Sequence, residues 1–169
     1  DANQGYCAKE MVKFLKEISR LKIKIDLLEQ PTSKNDIEGL KEVGLKTKIT
    51  VCADESASSM GDVLTLIEKK SVGAINIKLM KTGLIHSFDI ARIAKANGLK
   101  LMIGGMMESN LAMSASAHLA SGLGFFDYID LDTPFFIKDE VARHPFLSPK
   151  GVYDPSKVKS GIGIKVRSA

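Results

Sequence analysis

The chain has 169 residues, 44% of them apolar and 26% charged, so it is long enough to bury a substantial core as a globular protein. No apolar run reaches the roughly 18 residues that a membrane-spanning helix needs, and the first residues lack the basic and apolar regions of a signal peptide. The two cysteines, Cys7 and Cys52, lack metal-site spacing and favour a reduced, cytoplasmic protein.

The formal net charge of +4 is concentrated near the C-terminus. From Val141 onward, six Lys or Arg residues stand against a single acid, Asp154. These charges are dispersed among Pro, Gly and Ser with little aromatic interleaving, which argues against nucleic-acid binding. We interpret the segment as a solvated tail or as one that packs on a partner, and we expect contact with neither nucleic acid nor a membrane.

Apolar runs alternate along the chain with segments whose apolar residues recur every three or four positions. The helical periodicity predicts helices at 8–21, 35–43, 59–69, 83–97 and 109–121. The apolar runs between them predict strands at 25–29, 49–54, 74–78, 99–104 and 128–132. Strict alternation of strands and helices predicts a parallel α/β sheet.

The choice lies between an open doubly wound sheet and a closed barrel. An open sheet binds ligands at one switch point, whereas polar residues here follow nearly every strand, which favours a (β/α)₈ TIM barrel. Five complete strands are predicted and Asp1 resembles the last residue of a sixth, so we expect the C-terminal part of a barrel at 1–134. The alternation then stops, and 135–169 is predicted to be an arm, with a short strand at 160–166, that packs outside the barrel.

Acidic residues stand where three consecutive strands are predicted to end, namely Asp1, Glu29 and Asp54. They follow one another at intervals of about 25 residues, which is one strand, one helix and two loops, and Lys78 follows at the same interval. Because the carboxyl ends of parallel strands meet at one end of a barrel, we expect these side chains to converge. Three carboxylates without His or Cys suit Mg²⁺. Each acid could instead cap a helix or form a salt bridge.

Lys78 follows a buried apolar run, and Asn76 should share its face of the strand. An ammonium that is partly desolvated beside a divalent cation loses proton affinity and can serve as a base near neutral pH. An ordinary surface lysine is the alternative. Lys81 is interpreted as a lysine of the loop or helix start that could also touch substrate.

These motifs resemble the enolase superfamily and, within it, the muconate-lactonizing subgroup. The matching stretches are Asp1-Ala2-Asn3, Leu28-Glu29-Gln30-Pro31, Ala53-Asp54-Glu55-Ser56 and Ile77-Lys78-Leu79-Met80-Lys81-Thr82-Gly83. The resemblance implies a modified (β/α)₈ barrel, present from the end of its third strand to its eighth, whose arm packs on an N-terminal capping domain. It implies Mg²⁺ held by Asp1, Glu29 and Asp54, with Lys78 as an acid/base at the α-carbon of the substrate. Asn3, Glu55 and Asn76 would orient these groups from behind.

Asp130 and Asp132 lie on one face at the end of the last predicted strand. Two carboxylates there attract a cationic group, and they resemble the Asp-x-Asp motif of dipeptide epimerases, in which the pair binds the α-ammonium of a dipeptide. A cycloisomerase that acts on a dianion would be repelled by such a pair. Acids that cap the turn before Pro134 are the alternative.

The stretch Gly104-Gly105-Met106-Met107-Glu108-Ser109 follows the preceding strand. We predict that Gly104 and Gly105 allow close backbone approach to a ligand, that Met106 and Met107 line a side-chain pocket, and that Glu108 hydrogen-bonds polar groups. A plain strand-to-helix turn capped by Ser109 is the alternative.

The predicted activity is Mg²⁺-dependent epimerisation of a dipeptide by an isomerase that forms an enediolate. Epimerisation needs a base on each face of the α-carbon, but Lys22-Ile23-Lys24 only mimics the Lys-x-Lys of the family, because it precedes the apolar body of its strand. The second lysine is expected upstream of Asp1, so we expect the chain alone to be inactive. We also expect the protein to be a homo-oligomer. A muconate-type cycloisomerase, an o-succinylbenzoate synthase-like lyase and an inert assembly module remain as alternatives.

Overall fold

The computed structural model of the chain describes residues 1–138 and 147–164. They contain one parallel sheet whose five strands lie side by side in chain order. The strands are β1 (Leu28–Glu29), β2 (Val51–Ala53), β3 (Ala74–Ile77), β4 (Lys100–Ile103) and β5 (Tyr128–Ile129). The helices are α1 (Ala8–Arg20), α2 (Ile37–Thr47), α3 (Met60–Lys69), α4 (Leu79–Ala96) and α5 (Asn110–Leu123). The predicted alternation is confirmed, and the unreversed strand order favours part of a barrel over a doubly wound sheet.

The helices are amphipathic, as their periodicity predicted. Helix α1 buries Met11, Val12 and Leu15, while Lys13 and Lys16 on the same helix are exposed. This three- and four-residue spacing places the apolar side chains on a single face. Within the described part of the chain, no helix combines the length and the apolar character that crossing a membrane requires.

Both faces of β1, β2 and β3 are buried, and so are the last three residues of β4. Outer-face residues such as Ile75 and Leu101 belong to the main hydrophobic cluster, which the helices complete. Inner-face residues Cys52, Ala74 and Met102 form a second, smaller cluster, here called the inner floor. Because successive side chains of a strand alternate between its faces, the next inner-face positions toward the carboxyl ends stand directly above this floor. Two of those positions carry Asp54 and Asn76, and Glu29 is the strand partner of Cys52.

The first residues of the chain lie alongside β1. The amide of Ala2 donates to the carbonyl of Glu29 at 3.0 Å, and the amide of Gln4 donates to the carbonyl of Gln30 at 2.7 Å. This pairing places Asp1 beside the carboxyl end of β1.

The described part of the arm packs on the rest of the chain. Tyr153, Val158 and Ile164 pack against the main hydrophobic cluster, and the Tyr153 hydroxyl donates to the carbonyl of Leu131 at 2.8 Å. The predicted strand at 160–166 is wrong over 160–164, which form turns and bends, and its last two residues lie outside the described residues. The division at residue 134 and the packing of the arm on a capping domain stay predictions.

A buried glutamine ties the loops after β1 and β2 together. Gln30 is fully buried and has a left-handed backbone with a φ of 34°. Its Oε1 accepts hydrogen bonds from the amides of Asp54 (2.9 Å) and Ser56 (3.1 Å). Its Nε2 donates to the carbonyl of Thr32 (3.0 Å) and the hydroxyl of Ser56 (2.8 Å). All the hydrogen-bonding positions of the side-chain amide are used, which fixes Glu29 relative to Asp54.

We expect Gln30→Met to lower the free energy of unfolding by about 2–4 kcal/mol, because it leaves the buried amides of Asp54 and Ser56 without an acceptor. Gln4→Met is the matched control. Gln4 also has a positive φ (63°), but its side chain accepts a single exposed hydrogen bond, from the amide of Lys34, so its loss should cost less than about 1 kcal/mol. Urea unfolding followed by circular dichroism measures both variants. Equal losses in the two would contradict the role of Gln30 as a tie.

Candidate active site

Polar side chains gather at the carboxyl ends of β1, β2 and β3. Glu29 is the last residue of β1, Asp54 follows β2, and Lys78 follows β3. By the alternation of side chains along each strand, these three and Asn76 point to the inner face, as the inner floor does. Glu29, Asp54 and Asn76 are buried, and the side chain of Lys78 is 13% exposed. The structure therefore brings together four of the side chains that the sequence singled out.

The ammonium of Lys78 lies between two carboxylates. Its Nζ is 2.6 Å from Asp54 Oδ2 and 4.0 Å from Glu29 Oε1. Burial lowers the pKa of Lys78, but the hydrogen bond to Asp54 and the charges of Asp54 and Glu29 outweigh it, so the pKa is raised above its usual value. Lys78 is therefore protonated at neutral pH in this arrangement.

Lys81 lies in the first turn of α4, in agreement with its interpretation as a helix-start lysine, and it is a second buried cation at the site. Its Nζ donates to Asp54 Oδ1 (2.6 Å) and to the carbonyls of Asp54 (2.8 Å) and Asn76 (2.9 Å). Burial lowers the pKa of Lys81 more than the charge of Asp54 raises it. Burial raises the pKa of Asp54, but Lys81 and Lys78 together lower it below its usual value. One signal was available, since Lys81 stands one helical turn after Lys78.

Asn76 orients the carboxylate of Glu29. Its Nδ2 donates to Glu29 Oε1 at 2.6 Å. Burial raises the pKa of Glu29, and the charge of Asp54 adds to the rise, which the hydrogen bond from Asn76 opposes. Gly104 makes room for the amide, because a Cβ at this position would lie 2.7 Å from Asn76 Oδ1. The glycine therefore accommodates a side chain of the protein itself.

The donor set fits a magnesium ion in its chemistry. The predicted ligands are all carboxylates, and Glu29 and Asp54 already converge on one positive charge, the ammonium of Lys78. Asp1 is exposed, and its Oδ1 accepts a hydrogen bond from the amide of Asn3 at 2.7 Å. Across residues 1–138 and 147–164, no three acidic, His or Cys side chains are grouped as a metal site. The three-carboxylate site stays a prediction.

Asp130 and Asp132 lie at the same end of the sheet as Glu29, Asp54 and Lys78. They follow β5, and both are exposed on either side of the buried Leu131, so they share a face. Partial burial raises the pKa of Asp130, the charge of Asp132 raises it further, and the charge of Lys78 opposes the rise. The charges of Asp132 and Lys78 thus both act on Asp130. An acidic pair stands on the side of the site away from Glu29.

The loop between β4 and α5 is organised by Glu108. This residue is buried, and its Oε2 accepts a hydrogen bond from the amide of Met106 at 3.0 Å. A Cβ on Gly105 would lie 2.8 Å from Sδ of Met113 in α5. Packing and turn geometry therefore account for Gly105 and Glu108 without a ligand, and Met106 is 37% exposed. Their substrate-binding roles stay predictions.

The three residues predicted to orient the ligands differ in their contacts. Asn3 is exposed and contacts Asp1 through its backbone amide. Glu55 is half-buried, contributes to the raised pKa of Lys78, and has an Oε2 that is buried without a hydrogen-bond partner among the described residues. Asn76 alone of the three makes a side-chain hydrogen bond to a predicted metal ligand in the part of the chain that the structure describes.

Known proteins resemble this chain over its whole length. A family model described as enolase C-terminal domain-like matches residues 1–169. The hydrophobic dipeptide epimerase of Citrifermentans bemidjiense is 44% identical over 170 residues, which cover 99% of this chain and 46% of that protein. A mandelate racemase/muconate lactonizing protein from Herpetosiphon aurantiacus has a TM-score of 0.94 and 41% identity, covering 100% of this chain and 48% of that chain. The dipeptide epimerase of Enterococcus faecalis V583, solved with Mg and L-Leu-L-Tyr, has a TM-score of 0.81 and 36% identity, covering 85% and 40%.

The chain spans about half the length of these relatives. The parallel sheet matches the C-terminal barrel part of mandelate racemase and muconate lactonizing proteins, so the predicted fold class is confirmed. The resemblance seen in the motifs is confirmed as well, because the family model extends over every residue. The chain belongs to the enolase C-terminal domain-like family of mandelate racemases and muconate lactonizing enzymes.

Proposed function

We propose that the protein is an isomerase that epimerises dipeptides with Mg²⁺ as its cofactor. The observation that carries the proposal is the ammonium of Lys78, 2.6 Å from Asp54 Oδ2 and facing Glu29 at the carboxyl end of a parallel sheet. Relatives named as dipeptide epimerases support the substrate class, and the Enterococcus faecalis structure with Mg and a dipeptide supports the cofactor. A cytoplasmic location and a homo-oligomeric assembly stay predictions from the sequence.

Lys78 is the residue that we assign to proton transfer at the α-carbon. A carbon next to a carboxylate does not give its proton to an amine unless the new negative charge is stabilised. Mg²⁺ held by Asp1, Glu29 and Asp54 would supply that stabilisation, so that an enediolate becomes accessible. Lys78 accepts the proton in its neutral form. Loss of its ion pair with Asp54 would lower its pKa toward that form.

Epimerisation returns the proton to the opposite face of the α-carbon, which requires a second acid/base. Lys81 does not serve, because its three hydrogen bonds to the protein use all the donors of an ammonium. Lys22 and Lys24 precede β1 and so lie toward the other end of the strand from Glu29. The second lysine of the family stays a prediction upstream of Asp1.

Asp130 and Asp132 are proposed to bind the α-ammonium of the dipeptide. Their carboxylates are adjacent and exposed, and no basic side chain forms an ion pair with them among the described residues. An ammonium would relieve the repulsion between the two acids, whereas a dianionic substrate would add to it. This electrostatic difference favours a dipeptide over the muconate substrate of a cycloisomerase.

Lys78→Ala should reduce the exchange of the dipeptide α-proton with solvent deuterium by about 10²–10⁴-fold, the range typical of general acid–base residues. Proton NMR of a dipeptide panel in D₂O, incubated with Mg²⁺ and the purified full-length protein, measures the exchange. Lys24→Ala is the control, since it removes an exposed lysine paired with Asp26 before β1, and it should exchange at the wild-type rate. Undiminished exchange in Lys78→Ala would reject the assignment.

Asp130→Asn and Asp132→Asn should each raise the KM for a dipeptide with a free amino group about tenfold or more, because each removes a charge-assisted hydrogen bond. The exposed Asp89→Asn on α4 serves as the control and should leave KM unchanged. An N-acetylated dipeptide, which has no ammonium, should show no such difference between wild type and variants. If both variants keep the wild-type KM, the function of a cycloisomerase or a lyase is favoured over that of a dipeptide epimerase.

A further inference from the structure

Lys81 reaches the site from a single helical turn that follows β3. The amide of Lys81 donates to the carbonyl of Lys78 at 3.0 Å. Two residues later Gly83, with φ 68° and ψ 175°, interrupts the helix. Glycine alone adopts this backbone readily, so the turn that carries Lys81 is set apart from the long helix after it. Lys81 therefore points back to the ends of β2 and β3.

All three hydrogen-bond donors of the Lys81 ammonium are paired with acceptors of the protein. Its side chain is 5% exposed, and its Nζ contacts Asp54 Oδ1, the Asp54 carbonyl and the Asn76 carbonyl. An ammonium has three donors and no acceptor, so no donor is left for a substrate. Lys81 is therefore not a substrate contact in this arrangement, and its hydrogen bonds join the ends of β2 and β3 instead.

The two oxygens of Asp54 are divided between two lysines. Oδ1 lies 2.6 Å from Nζ of Lys81, and Oδ2 lies 2.6 Å from Nζ of Lys78. We propose that Lys81 is a positioning residue that holds Oδ1 of Asp54 and so directs Oδ2 alone toward a cation at the site. This inference rests on the proposed function for the cation, and it assigns to Lys81 a role carried out through Asp54.

The charge of Lys81 and its geometry act on cation binding in opposite directions. A positive charge beside the site repels a cation, so its removal by itself would tighten Mg²⁺ binding. Loss of the positioning contact would instead weaken Mg²⁺ binding. Without Lys81 only Lys78 still holds the Asp54 carboxylate. A cation that takes the place of Lys78 at Oδ2 must then order the carboxylate itself, at a cost in conformational entropy. The direction of the change in affinity therefore separates the two effects.

Lys81→Met removes the ammonium and keeps an unbranched side chain of similar length. We expect its Mg²⁺ affinity, measured by isothermal titration calorimetry on the purified full-length protein, to fall about 10–100-fold, as for other residues that orient metal ligands. Lys81→Arg keeps the positive charge but spreads its donors over a planar fork, so it should also bind Mg²⁺ more weakly, and it serves where Lys81→Met does not fold. Lys13→Met, an exposed change on α1, should bind like wild type.

Affinity that is unchanged or tighter in the Lys81 variants would overturn the positioning role and leave the proposed function intact. No Mg²⁺ binding in the wild type would instead reject the proposed function, and with it the cation that Lys81 is proposed to serve. Thermal unfolding without Mg²⁺ gives the folded fraction of each variant, so that loss of folded protein is not read as loss of affinity. A crystal structure of Lys81→Arg with Mg²⁺ should show the Asp54 carboxylate rotated, and an unrotated one would contradict the proposal.

Discussion

The carboxylate of Asp54, buried between the ammonium groups of Lys78 and Lys81, is the contact on which the rest of the site depends. A carboxylate removed from water is costly unless charges and hydrogen bonds compensate it. Here the compensating cations come from the segment that follows β3, while the acid follows β2. The same ion pairs therefore compensate a buried charge and hold two strand ends together, so the candidate site and the fold share one set of interactions.

Three side-chain ties connect the strand ends that carry the site. Gln30 joins the loops after β1 and β2, Lys81 joins β2 to β3, and Asn76 reaches from β3 back to Glu29 on β1. These ties close a triangle in which each strand end is held by both others. Groups held in this way keep their geometry without a ligand, which is what the proposed proton transfer would require.

The repeating features of the fold could be predicted from the sequence, whereas the buried polar side chains that connect the loops could not. Strand-helix alternation predicted the parallel sheet, and the interval between strand ends predicted that Lys78 would meet Asp54. The hydrogen-bonding roles of Gln30 and Lys81 were not predicted, because no periodicity reveals that a long polar side chain is buried with every donor used. Over its described residues, 160–164, the predicted strand is absent because Gly161 and Gly163 adopt positive φ values of 57° and 70°, a conformation that breaks an extended run.

The inner floor has a practical consequence for labelling the protein. Cys52 is fully buried there, and burial, with the charge of Glu29, raises the pKa of its thiol well above the usual value. Cys7, just before α1, is the other cysteine of the chain and is exposed. A thiol-directed fluorophore should therefore attach to Cys7 alone while the sheet is intact. Reaction at Cys52 would report that the barrel wall beneath the site has opened.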